Sequence, residues 1–433
     1  MDRFLMDELI TWKDSPRRKP LILNGARQVG KTWLLKEFGR RCFDNIAYVN
    51  LDDNPGMREQ FEAGYDIPRI ISAIQFETGQ AVSEGGTLII LDEIQACPKA
   101  LTSLKYFCEN APGYAVAAAG SLLGITVHEG SGYPVGKVNA LDLYPLHFRE
   151  FLAATGNQVL CSLIETGDAD LINGFSGKLV PLLRQYYYVG GMPEAVSAFL
   201  EQGLLEDARE VQLEILQGYE RDISKHLGRT ETEYALAAWR SIPAHLGREN
   251  KKFVFSHIAE GARARNYRSG ITWLSQAGIA TIVRRISKPG IPLAPYADDA
   301  AFKLFLVDVG LLGAMAQLDK ETVVGGNGIF EEFKGSLTEQ YVCQQLVSDC
   351  RLVPYYWSAE NSSGEIDFLV QRRNSVFAIE VKAEENLRSK SLRAFKESNP
   401  DVEAVRFSLS GYREQDWMRN IPLYAMENME LWA

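Results

Sequence analysis

The first third of the chain alternates short apolar runs with amphipathic stretches, a pattern typical of parallel strands joined by helices. Residues 21–23 form one strand-like run, and residues 87–91 form a continuous apolar run typical of a strand buried on both faces. Residues 46–51 and 114–119 predict two more strands. The sequence therefore predicts a parallel α/β sheet in this part of the chain.

A G-x-x-x-x-G-K-T motif lies between the first strand and a helical pattern. Glycines let backbone N–H groups turn toward phosphate oxygens, and the helix N-terminus adds its positive end. Lys31 would reach the terminal phosphates of ATP, and the Thr32 hydroxyl would hold Mg²⁺. The alternative is a glycine-rich turn that happens to precede a helix. The predicted nucleotide-binding residues of this loop are Gly25, Ala26, Arg27, Gln28, Val29, Gly30, Lys31, Thr32 and Trp33.

Polar residues follow two of the predicted strands. Asp92 and Glu93 end the 87–91 run, where Asp92 can bind Mg²⁺ and Glu93 can polarise the attacking water. A solvated acidic turn is the alternative. Ser121 follows the 114–119 strand and could sense the γ-phosphate, or it could cap the next helix.

The order of GARQVGKT, LDEIQACP, AAAGSLLG, YPVGKVNALDLYPLHFREFL and YYYVGGMPEA resembles prokaryotic AAA-type ATPases. In these proteins the C-terminal half is a domain of uncharacterised function, DUF4143. The resemblance covers nearly the whole chain. It implies Asp92 and Glu93 as Walker B residues, Ser121 as a sensor, and Pro193 in a helical lid that closes over the nucleotide.

The resemblance also bears on assembly. AAA-type sites usually borrow a residue from a neighbouring subunit, which implies a homo-oligomer or a transient self-assembly. Where that pattern often carries arginine, this chain has Gly136 and Lys137, so Arg149 and Arg184 are the candidates for an arginine finger.

Charge and cysteine content add little about the partner. The formal net charge is −10, which argues against nonspecific coating of DNA but permits a local basic face. Six cysteines without a C-x-x-C pair suggest reduced thiols in a cytoplasmic protein. No apolar run approaches membrane-spanning length, so no membrane partner is expected.

The middle of the chain concentrates basic residues. Residues 241–300 resemble the winged-helix module of these proteins. Arg263, Arg265 and Arg268 lie near the start of its second long helix, where a recognition helix would meet DNA. Helix surfaces are often basic, and winged helices also contact proteins, so a protein partner is the alternative.

The last third holds a second candidate site. Residues 365–370 and 376–382 alternate with strand period, and pairing them brings together Asp367, Glu380 and Lys382. Carboxylates suit Mg²⁺ or Mn²⁺, and the lysine can orient a nucleophilic water. The set resembles the PD-(D/E)xK nuclease core, with Glu339 as the acidic residue of its first helix, although Ile366 replaces the usual proline. The alternatives are an ion-paired hairpin and a nuclease fold that no longer cuts.

The expected protein is thus an α/β multidomain chain. We predict an AAA-type P-loop core at 1–155, a helical lid at 156–225, a winged-helix-like module at 226–300 and a restriction-endonuclease-like domain at 301–433. One interpretation is an ATP-hydrolysing enzyme acting on nucleic acid, with a metal-dependent nuclease. The other is a nucleotide-gated switch whose nuclease-like domain is inactive and binds a partner.

Overall fold

The structure, a computed structural model, describes residues 1–121, 134–325, 331–359, 364–383 and 389–432. The chain divides into two compact units. The first contains Met1–Tyr144 with Gln276–Gly278, and the second contains Pro145–Ser275 with Ile279–Ala433. Each unit is described by itself.

The first unit is built on a parallel sheet of five strands. Its strand order is β2-β3-β4-β1-β5, so β4 lies between the two strands that carry the predicted site. The strands are β1 (Leu21–Asn24), β2 (Asn45–Asn50), β3 (Thr87–Asp92), β4 (Ala115–Ala119) and β5 (Asn139–Asp142). The helices are α1 (Leu5–Asp14), α2 (Lys31–Cys42), α3 (Pro55–Glu62), α4 (Ile67–Thr78) and α5 (Pro98–Asn110). The predicted parallel sheet is confirmed.

The central strands have continuous apolar sequences because their side chains are buried. All of β3 and all of β4 are buried, because helices cover both faces of a parallel sheet. One large core cluster joins β2 and β3 to α3, α4 and α5, with Ile89, Phe61 and Ile74 at its centre. The carboxyl ends of β1 and β3 lie at one edge of this sheet.

The second unit begins with helices. They are α6 (Phe148–Ala154), α7 (Gln158–Glu165), α8 (Ala169–Gly174), α9 (Ser176–Val189), α10 (Pro193–Gln202), α11 (Leu205–His226), α12 (Arg229–Arg240), α13 (Ile242–Leu246) and α14 (Ala264–Gln276). The longest of these helices, α11, is amphipathic and buries Ile215, Tyr219 and Ile223.

An eight-stranded mixed sheet completes the second unit, in the order β12-β13-β11-β10-β9-β8-β6-β7. The strands are β6 (Ala280–Ile286), β7 (Ala297–Leu306), β8 (Tyr355–Ser358), β9 (Glu365–Arg372), β10 (Ser375–Val381), β11 (Glu403–Ser408), β12 (Arg413–Glu414) and β13 (Arg419–Pro422). The helices are α15 (Val309–Met315), α16 (Lys320–Gly325), α17 (Glu331–Ser348) and α18 (Lys390–Ser398).

The eight-stranded sheet bears on the predicted domain boundaries. Strand β7 spans the boundary placed at residue 300, and β6 pairs with both β7 and β8. The middle module and the C-terminal part therefore share one sheet. Neither compact unit ends at a predicted domain boundary, and the four predicted domains stay a prediction.

A close backbone contact fixes the turn before α10. A Cβ on Gly191 would lie 1.9 Å from the carbonyl oxygen of Leu146, so only glycine fits there. We expect Gly191→Ala to lower the thermal unfolding midpoint by roughly 5 °C, because overpacking forces the backbone apart. A matched control is Gly177→Ala in α9, where an added Cβ meets nothing within 4 Å. An equal effect of both substitutions would contradict this account.

Candidate nucleotide site

The loop between β1 and α2 has the backbone of a phosphate cradle. Gly25 and Gly30 adopt positive φ angles of 146° and 92°, and Gln28 adopts 66°. A Cβ on Gly25 would lie 2.2 Å from the carbonyl oxygen of Leu143, so that position requires glycine. Turning the backbone in this way makes consecutive N–H groups converge on one point.

The loop is also held from outside the motif. The Nη1 atom of Arg3 donates to the carbonyl of Val29 at 3.0 Å, and its Nη2 atom donates to the carbonyl of Tyr144 at 2.7 Å. Sequence reasoning missed Arg3, because it stands 26 residues away from Val29. The exposed Trp33, predicted as a nucleotide contact, lies on the first turn of α2.

Lys31 is buried at the start of α2. Its Nζ atom donates to the carbonyls of Gly25 at 2.9 Å and Ala26 at 2.8 Å. Burial lowers the pKa of Lys31 to about 8, although the nearby charges of Glu93 and Asp92 favour the ammonium. The lysine therefore lies within the loop, with its charge directed at the loop carbonyls.

Thr32 and Asp92 meet across the sheet edge. The Thr32 hydroxyl donates to Asp92 Oδ2 at 2.7 Å, and the Tyr48 hydroxyl donates to the same oxygen at 3.0 Å. A hydroxyl and a carboxylate are hard oxygen ligands, so this pair fits Mg²⁺. Tyr48 was not predicted, although its place in the strand beside β3 was recognisable in the sequence.

Glu93 has a strained backbone immediately after β3. Its φ and ψ are 48° and 46°, a left-handed conformation that costs energy for a residue other than glycine. Its N–H donates to Asp92 Oδ1 at 3.1 Å, and the Gln95 amide donates to its Oε2 at 2.5 Å. The hydrogen bond from Gln95 holds the Glu93 carboxylate in one orientation.

Two other predicted residues are located as follows. Ser121 is buried just after β4, while residues 122–133 lie outside the described part of the chain. Pro193 begins α10 in the second unit, where the preceding Gly191 donates from its N–H to Asp308 Oδ2 at 2.6 Å. The roles of Ser121 as sensor and Pro193 as part of a lid stay predictions.

Arg149 is enclosed by acidic residues. It donates from Nη2 to Asp349 Oδ1 at 2.6 Å, and its Nε atom lies 3.5 Å from Glu427 Oε2. Burial works to lower its pKa, but Asp349 raises it overall. Burial raises the pKa of Glu427 well above its usual value. Arg149 therefore pairs with Asp349 and contacts buried Glu427, a structural role that the arginine-finger hypothesis did not include.

The same place contains a group of potential metal ligands. Among the residues that the structure describes, one set of three such side chains has ligand atoms within 4.8 Å of one another, namely His147, Asp349 and Glu427. The Arg149 guanidinium contacts two of the three. A cation is thus already supplied by the chain, and this group carries no metal proposal.

Strands β9 and β10 bring the C-terminal candidates together as expected. The Val381 N–H donates to Asp367 Oδ2 at 2.7 Å, and the Lys382 Nζ atom lies 2.9 Å from Glu380 Oε1. Burial, followed by the charge of Glu339, raises the pKa of Asp367 to about 7. Strand β10 is buried along its length after Ser375, so its side chains are enclosed on both faces.

Glu339 has partners that the sequence did not reveal. One carboxylate oxygen pairs with Lys251, and the other lies 3.7 Å from Lys303. Burial acts to raise the pKa of Glu339, but the two lysines lower it overall. Glu339, Asp367 and Glu380 are not among the described groups of three whose ligand atoms lie within 4.8 Å. As arranged, they do not fit a metal bound by all three carboxylates.

The predicted DNA-contacting residues are exposed. Arg263 precedes α14, and Arg265 and Arg268 lie on its first two turns. Helices α12, α13 and α14 are followed by the antiparallel pair β6 and β7, and the winged-helix module stays a prediction. No described helix is both long enough and apolar enough to cross a membrane.

The loop, the acidic strand end and the strand order together define a phosphate-loop nucleotide-binding domain. Comparison with known families agrees, since residues 17–152 match the model of an AAA domain. Residues 180–322 match a domain of unknown function (DUF8612), and residues 334–426 match another (DUF4143). The chain therefore carries an AAA-type domain together with DUF4143, as predicted, whereas the nuclease resemblance stays a prediction.

Curated proteins compared with this chain gave no match. Solved structures with similar folds include the Walker-type ATPase PABY2304 of Pyrococcus abyssi, at 15% identity and a TM-score of 0.46, covering 73% of this chain and 95% of that one. Aeropyrum pernix ORC1, solved with DNA, shows 13% identity and a TM-score of 0.29, with 74% and 92% covered. Thermotoga maritima RuvB, a Holliday junction branch migration motor, shows 14% and 0.28, with 65% and 88% covered.

Substitution of Arg149 separates its structural role from an arginine-finger role. We expect Arg149→Ala to destabilise the second unit by about 3 to 5 kcal/mol, because Asp349 and Glu427 lose their contacts with the guanidinium. Arg184→Ala in α9 is the matched control, and it should leave the unfolding midpoint nearly unchanged. If Arg149→Ala kept full stability and lost only nucleotide hydrolysis, the structural assignment would be wrong.

Proposed function

We propose that the first unit binds ATP with Mg²⁺ and hydrolyses it. The observation that carries this proposal is the hydrogen bond from Thr32 to Asp92 at 2.7 Å, located beside a loop that holds buried Lys31. It joins the two halves of a nucleotide site, which stand 60 residues apart in the sequence. The match of residues 17–152 to an AAA domain supports the same conclusion.

Each residue has a role that follows from its contacts. Lys31 exchanges two loop carbonyls for phosphate oxygens, and this exchange restores full pairing of its ammonium. Thr32 and Asp92 would hold Mg²⁺, which when bound neutralises charge on the phosphates. The Tyr48 hydroxyl donates to the same Asp92 oxygen as Thr32, and this second hydrogen bond restricts the orientation of the carboxylate.

Glu93 is the residue we assign to the attacking water. Gln95 donates to Oε2, which leaves the other carboxylate oxygen to accept a hydrogen bond from water. The backbone of Glu93 is left-handed, unlike the extended backbone of the strand that ends at Asp92. Asp92 would therefore bind the metal, and Glu93 would accept a hydrogen bond from the attacking water.

The roles of Glu93 and Lys31 can be separated by substitution. Glu93→Gln should retain ATP binding and lower the hydrolysis rate by about 100-fold or more, because an amide cannot accept the proton of water. Lys31→Ala should weaken ATP binding itself. Equilibrium binding of a fluorescent ATP analogue and a phosphate-release assay measure the two effects.

Glu59→Gln on the exposed face of α3 is the matched control for Glu93→Gln. Wild-type hydrolysis by the Glu93→Gln protein would refute the assignment of the water-activating residue. Unchanged ATP binding by Lys31→Ala would refute the nucleotide site.

We also propose that the middle module contacts nucleic acid. The order of three helices and an antiparallel strand pair supports this proposal, as do the exposed guanidinium groups of Arg263, Arg265 and Arg268. Such groups pair with phosphates without reading sequence. A cavity of about 290 Å³ between α14 and the β6–β7 pair adjoins them, and Arg268 lines it together with Phe255 and Phe302.

Neutralising the three arginines tests this contact. The combined Arg263→Ala, Arg265→Ala and Arg268→Ala variant should bind DNA more weakly, with a salt slope reduced by roughly one per lost phosphate contact. A control of equal charge replaces exposed Lys178, Arg229 and Lys390 by alanine. Equal affinity and equal salt slope in the two variants would show that these three arginines do not contact DNA.

For the C-terminal domain, the contacts favour binding over metal-dependent cleavage. Both oxygens of Glu339 face lysines, and the Asp367 and Glu380 carboxylates each have a partner within the strand pair. We therefore favour the nucleotide-gated interpretation for this domain, in which ATP occupancy controls the binding of a partner. Self-assembly through a neighbouring subunit remains part of the proposal, with Arg184 as the arginine candidate.

A further inference from the structure

One side of the eight-stranded sheet collects an unusual set of charges. Its members come from α17, β7, β9, β10 and the segment between α13 and α14. They are the carboxylates of Glu339, Glu365, Asp367 and Glu380, and the ammonium groups of Lys251, Lys303 and Lys382. A cluster of carboxylates alone would repel itself, so the lysines are what hold it together.

Lys303 is the most enclosed of these cations. Its side chain is 1% exposed, it pairs with Glu365, and its Nζ atom lies 3.7 Å from Glu339 Oε2. Burial acts to lower its pKa, but Glu339 and Glu365 raise it overall. Its ammonium therefore stays charged in a place that water hardly reaches.

Lys251 supplies a second cation to the same carboxylate. Its ammonium pairs with Glu339 Oε1, and its side chain is 13% exposed. It comes from the chain segment before α14, far in sequence from α17. Glu339 thus has an ammonium at each oxygen, one from a strand and one from a loop.

We propose that Lys251 and Lys303 take the place of a divalent cation at Glu339, so that removal of the Lys251 ammonium is enough to let Mn²⁺ bind to that carboxylate. A divalent ion beside two fixed positive charges would be repelled at contact distance, where the Coulomb energy is largest. The inference rests on the proposal that the contacts of this domain favour binding over metal-dependent cleavage.

The remaining carboxylates explain why removal of the lysines would create a site. Glu380 is 7% exposed, and its Oε2 atom has no hydrogen-bond partner. Asp367 uses Oδ2 for the Val381 N–H. Without Lys251, the Glu339 oxygen that it pairs with would become available as a ligand, and carboxylate oxygens suit Mn²⁺.

The test is Mn²⁺ binding, measured by electron paramagnetic resonance on the full chain without nucleotide. All variants carry Asp92→Asn, so that the site in the first unit does not contribute. We expect no saturable Mn²⁺ binding at the cluster in the parent, and a gain of one Mn²⁺ with at least tenfold higher affinity in Lys251→Ala. Adding Glu339→Gln should abolish that gain. Lys390→Ala, an exposed lysine outside the cluster, is the control and should show no gain.

Lys303→Met is the second variant, and it should add to the gain if it folds, as judged by circular dichroism. If Lys303→Met unfolds, Lys251→Ala alone tests the proposal. Lys251 is partly exposed, so its replacement should disturb folding less. The proposal is overturned if the parent already binds Mn²⁺ in a manner that Glu339→Gln removes, or if folded Lys251→Ala gains nothing.

A separate assay distinguishes this inference from the proposal on which it rests. Mn²⁺-dependent cleavage of labelled DNA by Lys251→Ala, lost on adding Asp367→Ala, would show that the charged cluster belongs to a nuclease. Gain of Mn²⁺ without cleavage would support the lysine substitution for metal and refute the nuclease assignment.

Discussion

Buried charge without water must find a counter-charge in the chain, and this constraint shapes both units. In the first unit, Lys31 lies among loop carbonyls and near Asp92 and Glu93. In the second, Arg149 pairs with Asp349 and contacts Glu427, and Lys303 neutralises Glu365 and Glu339. Elements distant in sequence are joined at these pairs, because neither partner is stable when buried alone.

The same constraint leads to opposite expectations at the two candidate sites. At the nucleotide site, the buried Lys31 ammonium donates hydrogen bonds to neutral carbonyl oxygens. A phosphate, which carries a negative charge, would be a better acceptor for it. At the C-terminal cluster, each ammonium already faces a full carboxylate. The first arrangement favours ligand entry and the second opposes metal entry. This difference supports the proposals that the first unit hydrolyses ATP and that the C-terminal domain binds a partner.

Much of the local structure could be predicted from sequence. The apolar runs at 21–23 and 87–91 became β1 and β3, and the glycine spacing of the loop appears as the positive φ angles of Gly25 and Gly30. These features depend on the steric properties of single residues and on burial of continuous segments. Strand pairing of β9 with β10 also followed, since alternating patterns place Asp367 and Glu380 on one face.

The sequence by itself determined the phosphate loop, its acidic partner strand and the two carboxylates of the last third, because each lies within a short motif. Only the tertiary structure decided what surrounds those groups. Tyr48 on Asp92, Arg149 among carboxylates, and Lys251 and Lys303 on Glu339 all come from other parts of the chain. Spacing along a chain does not encode such contacts, since they depend on which distant elements pack together, and the electrostatics of a buried site depends on all of them.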